Sequence, residues 1–519
     1  MRIAVNPLGG EFAMRSSARC LLVVSLALAL TAAAAVPSLA QTRGGTLRVG
    51  QARSPVSLDP HLGISLHEFH VLYSIFDGLL AYDENLALKP ALAESWQRTD
   101  PRTYVFKLRR GVKFHDGTDF DAAAVKWNVE RILDPATKAR VRDLDVVEAV
   151  EVVDPQTVRF RLKTPTGLLP GFLAERGGLM VSPTAAKRLG PDLGRSPVGT
   201  GAFKFVEWMA DDHIRLERFD QYWDKGLPHL DRIVYRIIPD ESVLLTNLRG
   251  GQIDYMADVP PKDLGALKRE SNLALQQKPG LGFYWINLNS GVPPLNNKAI
   301  RQAMAYAVER PAMLRSLYFG AGVPAVGPLS PSSWGWDAGL KGYTRDLARA
   351  KQKLAEGGMP NGFTFKMLVG STPMYRTNAT AIQAQLAEVG ITAELEVTET
   401  VKVLQQVVAR TYQASSTIWI GLNPDADFVL HPLYSSQGLF NKDRYKNPKV
   451  DELIDRARTL DKQDERKKLY QEAQSIIVDD AADLWLYYPD VTAAMSKKVH
   501  GVPLTADGRA RLRGAWLDK

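Results

Sequence analysis

Residues 364–420 read TFKMLVGSTPMYRTNATAIQAQLAEVGITAELEVTETVKVLQQVVARTYQASSTIWI, and their rhythm decides the fold. Thr364–Leu368 alternates as a short strand, Thr377–Val389 repeats its apolar residues at helical spacing, and Thr392–Val397 alternates again. Val401–Arg410 and Ser415–Ile420 then repeat the helix–strand pair. Helices of this length set between strands make β-α-β units with a largely covered sheet, so the expected class is α/β.

The same grammar extends in both directions. Upstream, Thr46–Val49 reads as a strand, and Ser65 with Glu68 has the spacing of a capping box. Phe69, Leu72, Phe76, Leu79 and Leu80 follow as one buried stripe. Strands are expected at Tyr104–Leu108, Val146–Val153 and Thr157–Leu162, around a helix capped by Asp121 that runs to about Leu133. Phe203–Trp208, Ile214–Phe219, Arg232–Ile238 and Phe283–Leu288 are further strands, and Gly250-Gly251 stops a helix at Glu241–Arg249. Downstream, helices at Lys449–Leu460 and Asp464–Asp480 lead to a last strand at Asp483–Tyr488.

A chain of 519 residues is too long for a single hydrophobic core and implies roughly three compact units. The 45% apolar and 24% charged fractions exclude disorder for its bulk. Lys and Arg number 65 against 57 Asp and Glu, but the two signs are mixed throughout. The densest basic groups, Arg466-Lys467-Lys468 and Arg509, Arg511, Arg513, read as a solvated helix face and a basic tail. A nucleic-acid binder concentrates its excess on one stripe, so nucleic acid is not an expected partner. The one cysteine, Cys20, precedes the rest of the chain, which therefore has no disulfide, thiol nucleophile, Cys-ligated zinc or iron–sulfur cluster.

Arg15 and Arg19 precede the uncharged run Leu21–Val36, and Ser38 and Ala40 place small side chains where a signal peptidase reads. Residues 1–40 are thus expected to be a secretory signal cleaved near Ala40, with translation starting at Met1 or Met14. The run is short for a membrane span, and Cys20 lies before it, whereas a lipoprotein cysteine follows.

Catalytic signatures are missing. The sequence contains no G-x-S-x-G elbow and no P-loop, and Gly199-Thr200-Gly201 lacks the third glycine of a dinucleotide fingerprint. His67-Glu68-Phe69-His70 lacks the i, i+4 histidine pair of a zinc helix. His61, His67 and His70 form the only histidine cluster, open to two readings: a transition-metal or metal-chelate site, or a polar helix face. Trp285 and Trp419, both near strand ends, have the chemistry of an aromatic clamp for a small ligand.

Gly44-Gly45-Thr46-Leu47, Ser57-Leu58-Asp59-Pro60-His61 and Phe76-Asp77-Gly78-Leu79-Leu80 through Leu92-Ala93-Glu94-Ser95-Trp96 occur in order. They are followed by Leu108–Gly117, Val198–Phe203 and Ile300–Ala307. This series of blocks resembles the extracytoplasmic solute-binding proteins of ABC importers, the peptide, nickel and oligopeptide family 5. The resemblance runs from about Gly44 to Tyr488. It implies a two-lobed periplasmic binding protein fold with an interlobe hinge and an extra small subdomain in the first lobe. The first lobe would be 41–290 completed by 481–519, its subdomain 77–197, and the second lobe 291–480. The function implied is a monomeric periplasmic receptor, not an enzyme and without cofactor or metal, that captures a peptide or peptide-like solute for the membrane permease. A secreted hydrolase with an unrecognised site is the competing class, a peptide-handling chaperone a third, and a glycoside or metal-chelate binder the alternative within the family.

The resemblance places Trp285 and Trp419 at the interlobe cleft, with Gly421 in the same loop. Peptide-binding relatives carry an Asp three residues after the tryptophan matching Trp419, where it pairs with the ligand ammonium; here that position is Leu422. Asp425 or Asp427 substitutes only if the loop is displaced. The carboxylate-binding arginine of dipeptide binders is matched by Val369, leaving Arg376 as the nearest cation. Ser65, Asn287 and Asn423 are the expected neutral hydrogen-bonding groups. This inventory favours a ligand with an apolar body, amide or hydroxyl groups and one carboxylate, such as a modified or N-blocked peptide.

Overall fold

The computed structural model describes Met1, residues 41–63 and residues 65–518. The expected signal segment therefore lies outside the described residues, apart from Met1. Two groups of strands share one 12-stranded sheet, and a single 13-residue strand, Leu484–Ser496, joins them. Its first half pairs with Phe283–Leu288 and Gly322–Pro324, its second with Tyr255–Ala257 and Leu273–Pro279.

In the first lobe, Thr46–Gln51 lies parallel to both Arg232–Ile237 and Tyr255–Ala257, with His213–Arg218 and Phe203–Met209 completing the edge. Leu47 and Val49 point inward beneath the helix Leu66–Ile75 and share a core with Phe69, Leu72, Ile233 and Tyr235. That helix starts with the expected capping box: the Ser65 hydroxyl accepts from the Glu68 N–H, and the Glu68 carboxylate from the Ser65 N–H. The subdomain is a separate antiparallel sheet in the order Ala93–Asp100, Thr103–Leu108, Thr157–Leu162, Val147–Asp154. Its core gathers Phe106, Phe160 and Phe114 against Val125 and Val129 of the helix Ala122–Leu133, which Asp121 caps.

The second lobe realises the rhythm of residues 364–420. Phe363–Gly370 runs parallel to Ile391–Thr398 and to Ala414–Trp419, and the helix Pro373–Ala387 packs on all three. The helix begins four residues before the expected Thr377, because Pro373 sits in its first turn, where a missing N–H costs nothing. Phe283–Leu288, within the stretch expected in the first lobe, pairs with Ala414–Trp419 and contributes to the second lobe's cores. The chain thus passes between lobes at Gly280–Gly282 and again near Pro489, where the long strand changes partners. The strand expected to end at Tyr488 continues through Pro489 to Ser496. A layer of helices, Asp427–Tyr434, Pro448–Thr459 and Gln463–Asp479, covers the remaining face.

Candidate ligand-binding site

The last strand of the 364–420 unit ends at Trp419, and the chain then turns through Ile420–Ala426 into the helix Asp427–Tyr434. Gly421 permits this path: a Cβ there would run into the backbone of Leu281 at the interlobe crossing. The loop forms one wall of a cavity of about 500 Å³. Trp419, Gly421, Leu422 and Asn423 line it, and Phe440 meets Trp419 edge-on with ring centroids 5.7 Å apart. Ile420, Leu439 and Phe440 are 62%, 64% and 50% exposed at its rim, an unusual amount of bare apolar surface for one spot.

The opposite wall comes from the first lobe and its subdomain. Arg140, Arg142 and Asp143 reach it from the segment after the subdomain helix, Phe172, Glu175 and Arg176 from the end of the short helix Leu169–Ala174, and Phe69 and Arg509 from below. The walls touch directly. Phe172 meets Phe428 across the cavity at 5.6 Å between centroids, and Tyr82 donates to Asn423 Oδ1 at 3.5 Å. Beside it the Gly167 N–H donates to the Arg458 carbonyl at 2.9 Å, and Tyr104 Oη to Asp461 Oδ1 at 3.1 Å. Any Cβ on Gly167 would collide with the Leu460 carbonyl, so backbone meets backbone where the lobes close.

Charge in the cavity is uneven. Five arginines line it, Arg140, Arg142, Arg176, Arg458 and Arg509, against the carboxylates Asp143, Glu175 and Asp427. Burial pushes Asp427 up to about 6, against the pull of Arg458, whose Nε lies 3.3 Å from Oδ1; Tyr470 Oη donates to the same oxygen at 3.1 Å. Burial likewise pushes Glu175 up to about 7, against Arg509. His431 is pushed down to about 4, first by burial and then by Arg458. No groove lining here offers a nucleophile–base–orienter relay among the described residues. The arrangement binds and encloses.

Four of the expected site residues, Trp419, Gly421, Leu422 and Asn423, come together at this cavity, and five lie elsewhere. Trp285 is a core residue rather than one jaw of a clamp: it is 4% exposed and packs on Phe283 at 4.5 Å, because its strand faces the helix layer of the second lobe. Asn287 is buried and takes a hydrogen bond from Tyr412 Oη at 2.6 Å. Ser65 uses its hydroxyl as the helix cap, and Arg376 is exposed on the helix Pro373–Ala387, away from the cavity. Asp425 is held by both Arg466 amino groups, at 2.7 and 2.8 Å, and faces a neighbouring cavity of about 740 Å³.

The His67 and His70 rings lie 6.3 Å apart, and His61 has its own partners. His61 is fully buried between Arg131 and the Leu179 carbonyl, and burial holds it near 4; His70 Nδ1 accepts from the Ala510 N–H. The basic clusters read as solvated are partly buried: Arg466 is 5% exposed on Asp425, and Arg509 2% exposed on Glu175. Sequence reasoning missed Glu175, Arg509 and the segment Arg140–Asp143. The clustered arginines near the C-terminus were the only signal, and periodicity could not say that they turn inward.

A cavity enclosed by two α/β lobes that cross at paired strands defines a hinge-closing binding protein. The chain belongs to the bacterial extracellular solute-binding proteins of family 5: residues 87–441 match the model described as "Bacterial extracellular solute-binding proteins, family 5 Middle". It is 32% identical over 465 residues to the glutathione-binding protein GsiB of Escherichia coli strain K12, covering 87% of this chain and 90% of that one. Among solved structures it is similar to HbpA2 from Haemophilus parasuis, with a TM-score of 0.85 at 26% identity, over 92% of this chain and all of that one. It is also similar to the ABC transporter-associated periplasmic binding protein DppA from Helicobacter pylori, in complex with the peptide STSA. There the TM-score is 0.78 at 29% identity, over 92% of this chain and 99% of that one. The chain is a solute-binding receptor of an ABC importer.

Proposed function

We propose that the cavity between the lobes captures a small peptide-like solute of net negative charge, carrying at least one carboxylate and an apolar side group. The observation that carries this reading is the surplus of arginine on a cavity that also bares Trp419, Phe440 and Leu422. Guanidinium groups match carboxylates in geometry and charge, and a cavity of about 500 Å³ is the size of a small-ligand site. Glutathione, a tripeptide with two carboxylates, is the ligand named for the relatives at 32% identity and has the chemistry this cavity asks for. The receptor works in the periplasm as a monomer after removal of residues 1–40, with the permease as its partner and without nucleic acid, cofactor or chemical conversion of the solute. Among the described residues no helix is long and apolar enough to cross a membrane.

The test is a thermal-shift and calorimetry series on the mature protein with glutathione, γ-glutamyl and acidic dipeptides, neutral dipeptides and small glycosides. Acidic peptides at a hundred times their Kd should stabilise the fold by about 2.7 kcal/mol. Preference for neutral dipeptides or glycosides over every acidic peptide would overturn the reading, and turnover of the bound compound would overturn the receptor role without chemistry.

A further inference from the structure

Glu175 stands out within the cavity. Its side chain is only 5% exposed, and one carboxylate oxygen, Oε2, is held by Arg509 Nη1 at 2.5 Å. The other, Oε1, is buried with no hydrogen-bond partner among the described residues. A buried carboxylate oxygen left unpaired is costly, and native structures rarely keep one unless something outside the chain completes it.

Resting on the peptide-like reading above, we propose that Glu175 is a specificity residue of this site, whose Oε1 receives the ammonium of the bound ligand while Oε2 stays on Arg509. The other acids near the cavity are less suited. Asp425 is doubly bound to Arg466, and Asp427 already faces Arg458 and Tyr470. Asp143 is also pushed up by burial against Arg176, but it is half-buried where the Glu175 side chain is 5% exposed.

Arg509 is also shared. It donates to Tyr73 Oη at 2.9 Å, lies over the Phe69 ring at 4.9 Å and comes within 3.6 Å of Asp507. Asp507 has its own cation in Arg511, at 2.6 Å, so the four-membered cluster is charge-balanced; Glu175 is its carboxylate with an unpaired oxygen, and Arg509 Nε is unpaired beside it. Burial raises its pKa to about 7, a shift that a ligand cation docking on Oε1 would reverse. In a cavity where arginines outnumber acids five to three, one carboxylate with an unpaired oxygen selects the single positive group of an otherwise acidic peptide. The first lobe thereby supplies the anchor that Leu422 does not provide on the second.

The experiment uses glutathione, γ-glutamylglycine and alanylaspartate, each free and N-acetylated, titrated by calorimetry into wild type, Glu175→Gln, Glu175→Asp and Asp143→Asn. Wild type should prefer the free amine by about 10–100-fold, the worth of a hydrogen bond to a charged group. Glu175→Gln should abolish that preference while keeping its affinity for the acetylated forms, a result that a merely loosened cleft would not give. Asp143→Asn should keep the preference. Glu175→Asp, which retains the charge on Arg509 but shortens the reach, should also lose it and serves if the glutamine variant does not fold. Equal binding of free and acetylated forms by wild type overturns the assignment and leaves the peptide reading intact. A preference that survives in Glu175→Gln, or one lost in Asp143→Asn instead, also overturns it. Binding of no free peptide removes the peptide reading and the assignment together.

Discussion

The two walls of the cavity solve different problems with different residues. On the second lobe, the loop from Trp419 to Asp427 presents apolar surface and an amide, and its acids are engaged inside that lobe: Asp425 with Arg466, Asp427 with Arg458 and Tyr470. On the first lobe, the wall is ionic, with Arg140, Arg142 and Arg176 around the Glu175–Arg509 pair. On the proposed function, one wall covers the ligand and the other reads its charges. Affinity and selectivity should therefore separate by lobe under mutation.

The largest effect is expected from Arg509→Met, which strips the cation from Glu175 and weakens the surroundings of Asp507. Removing one partner of a buried ion pair costs about 3–5 kcal/mol, and urea unfolding should show a loss of that size together with loss of ligand. A loss under about 1 kcal/mol would mean that the first-lobe wall is not organised by this pair. Trp419→Ala strikes the other wall and should weaken binding of every accepted peptide by about 1–3 kcal/mol with little change in preference among them. A change in charge preference from that variant would break the division of labour.

The last effect, of similar size, is a pH slope. Because burial raises Asp427 to about 6, the folded protein holds a proton that the unfolded chain has released at the same pH. That contribution is full below about pH 4 and is lost as pH rises through about 6. Asp427→Asn has no such loss, so its stability relative to wild type should rise by about 1–3 kcal/mol between pH 4 and pH 8, read as unfolding midpoints along the series. A flat difference would mean that Asp427 is ionised in the folded protein across this range.

How much of this could be read beforehand follows from sequence separation. The alternation of residues 364–420, the Ser65–Glu68 capping box and the Asp121 cap are local patterns, and the structure contains each of them. The helix Asp427–Tyr434 was not legible because Pro432 sits inside it, and the hairpin strands Leu80–Tyr82 and Leu88–Pro90 are too short to show a period. On the second-lobe wall, residues 419–423 are contiguous and could be found together. On the first-lobe wall, Arg509 touches Tyr73 across 436 positions of chain, and no spacing rule links such residues. Trp285, which the resemblance placed at the cleft, is packed in the second-lobe core; strand alternation says that a side chain leaves the sheet but not which layer it meets.

The strand Leu484–Ser496 also bears on when the protein can fold. It occupies an interior position of the 12-stranded sheet, yet it follows in the chain every strand it pairs with. Until it arrives, Phe283–Leu288 lacks its inner neighbour, and Tyr255–Ala257 and Leu273–Pro279 lack the strand they pair with on the other side of the crossing. Contacts this distant in sequence form late and slowly. A chain that has not yet extended through this strand therefore has neither lobe's sheet complete.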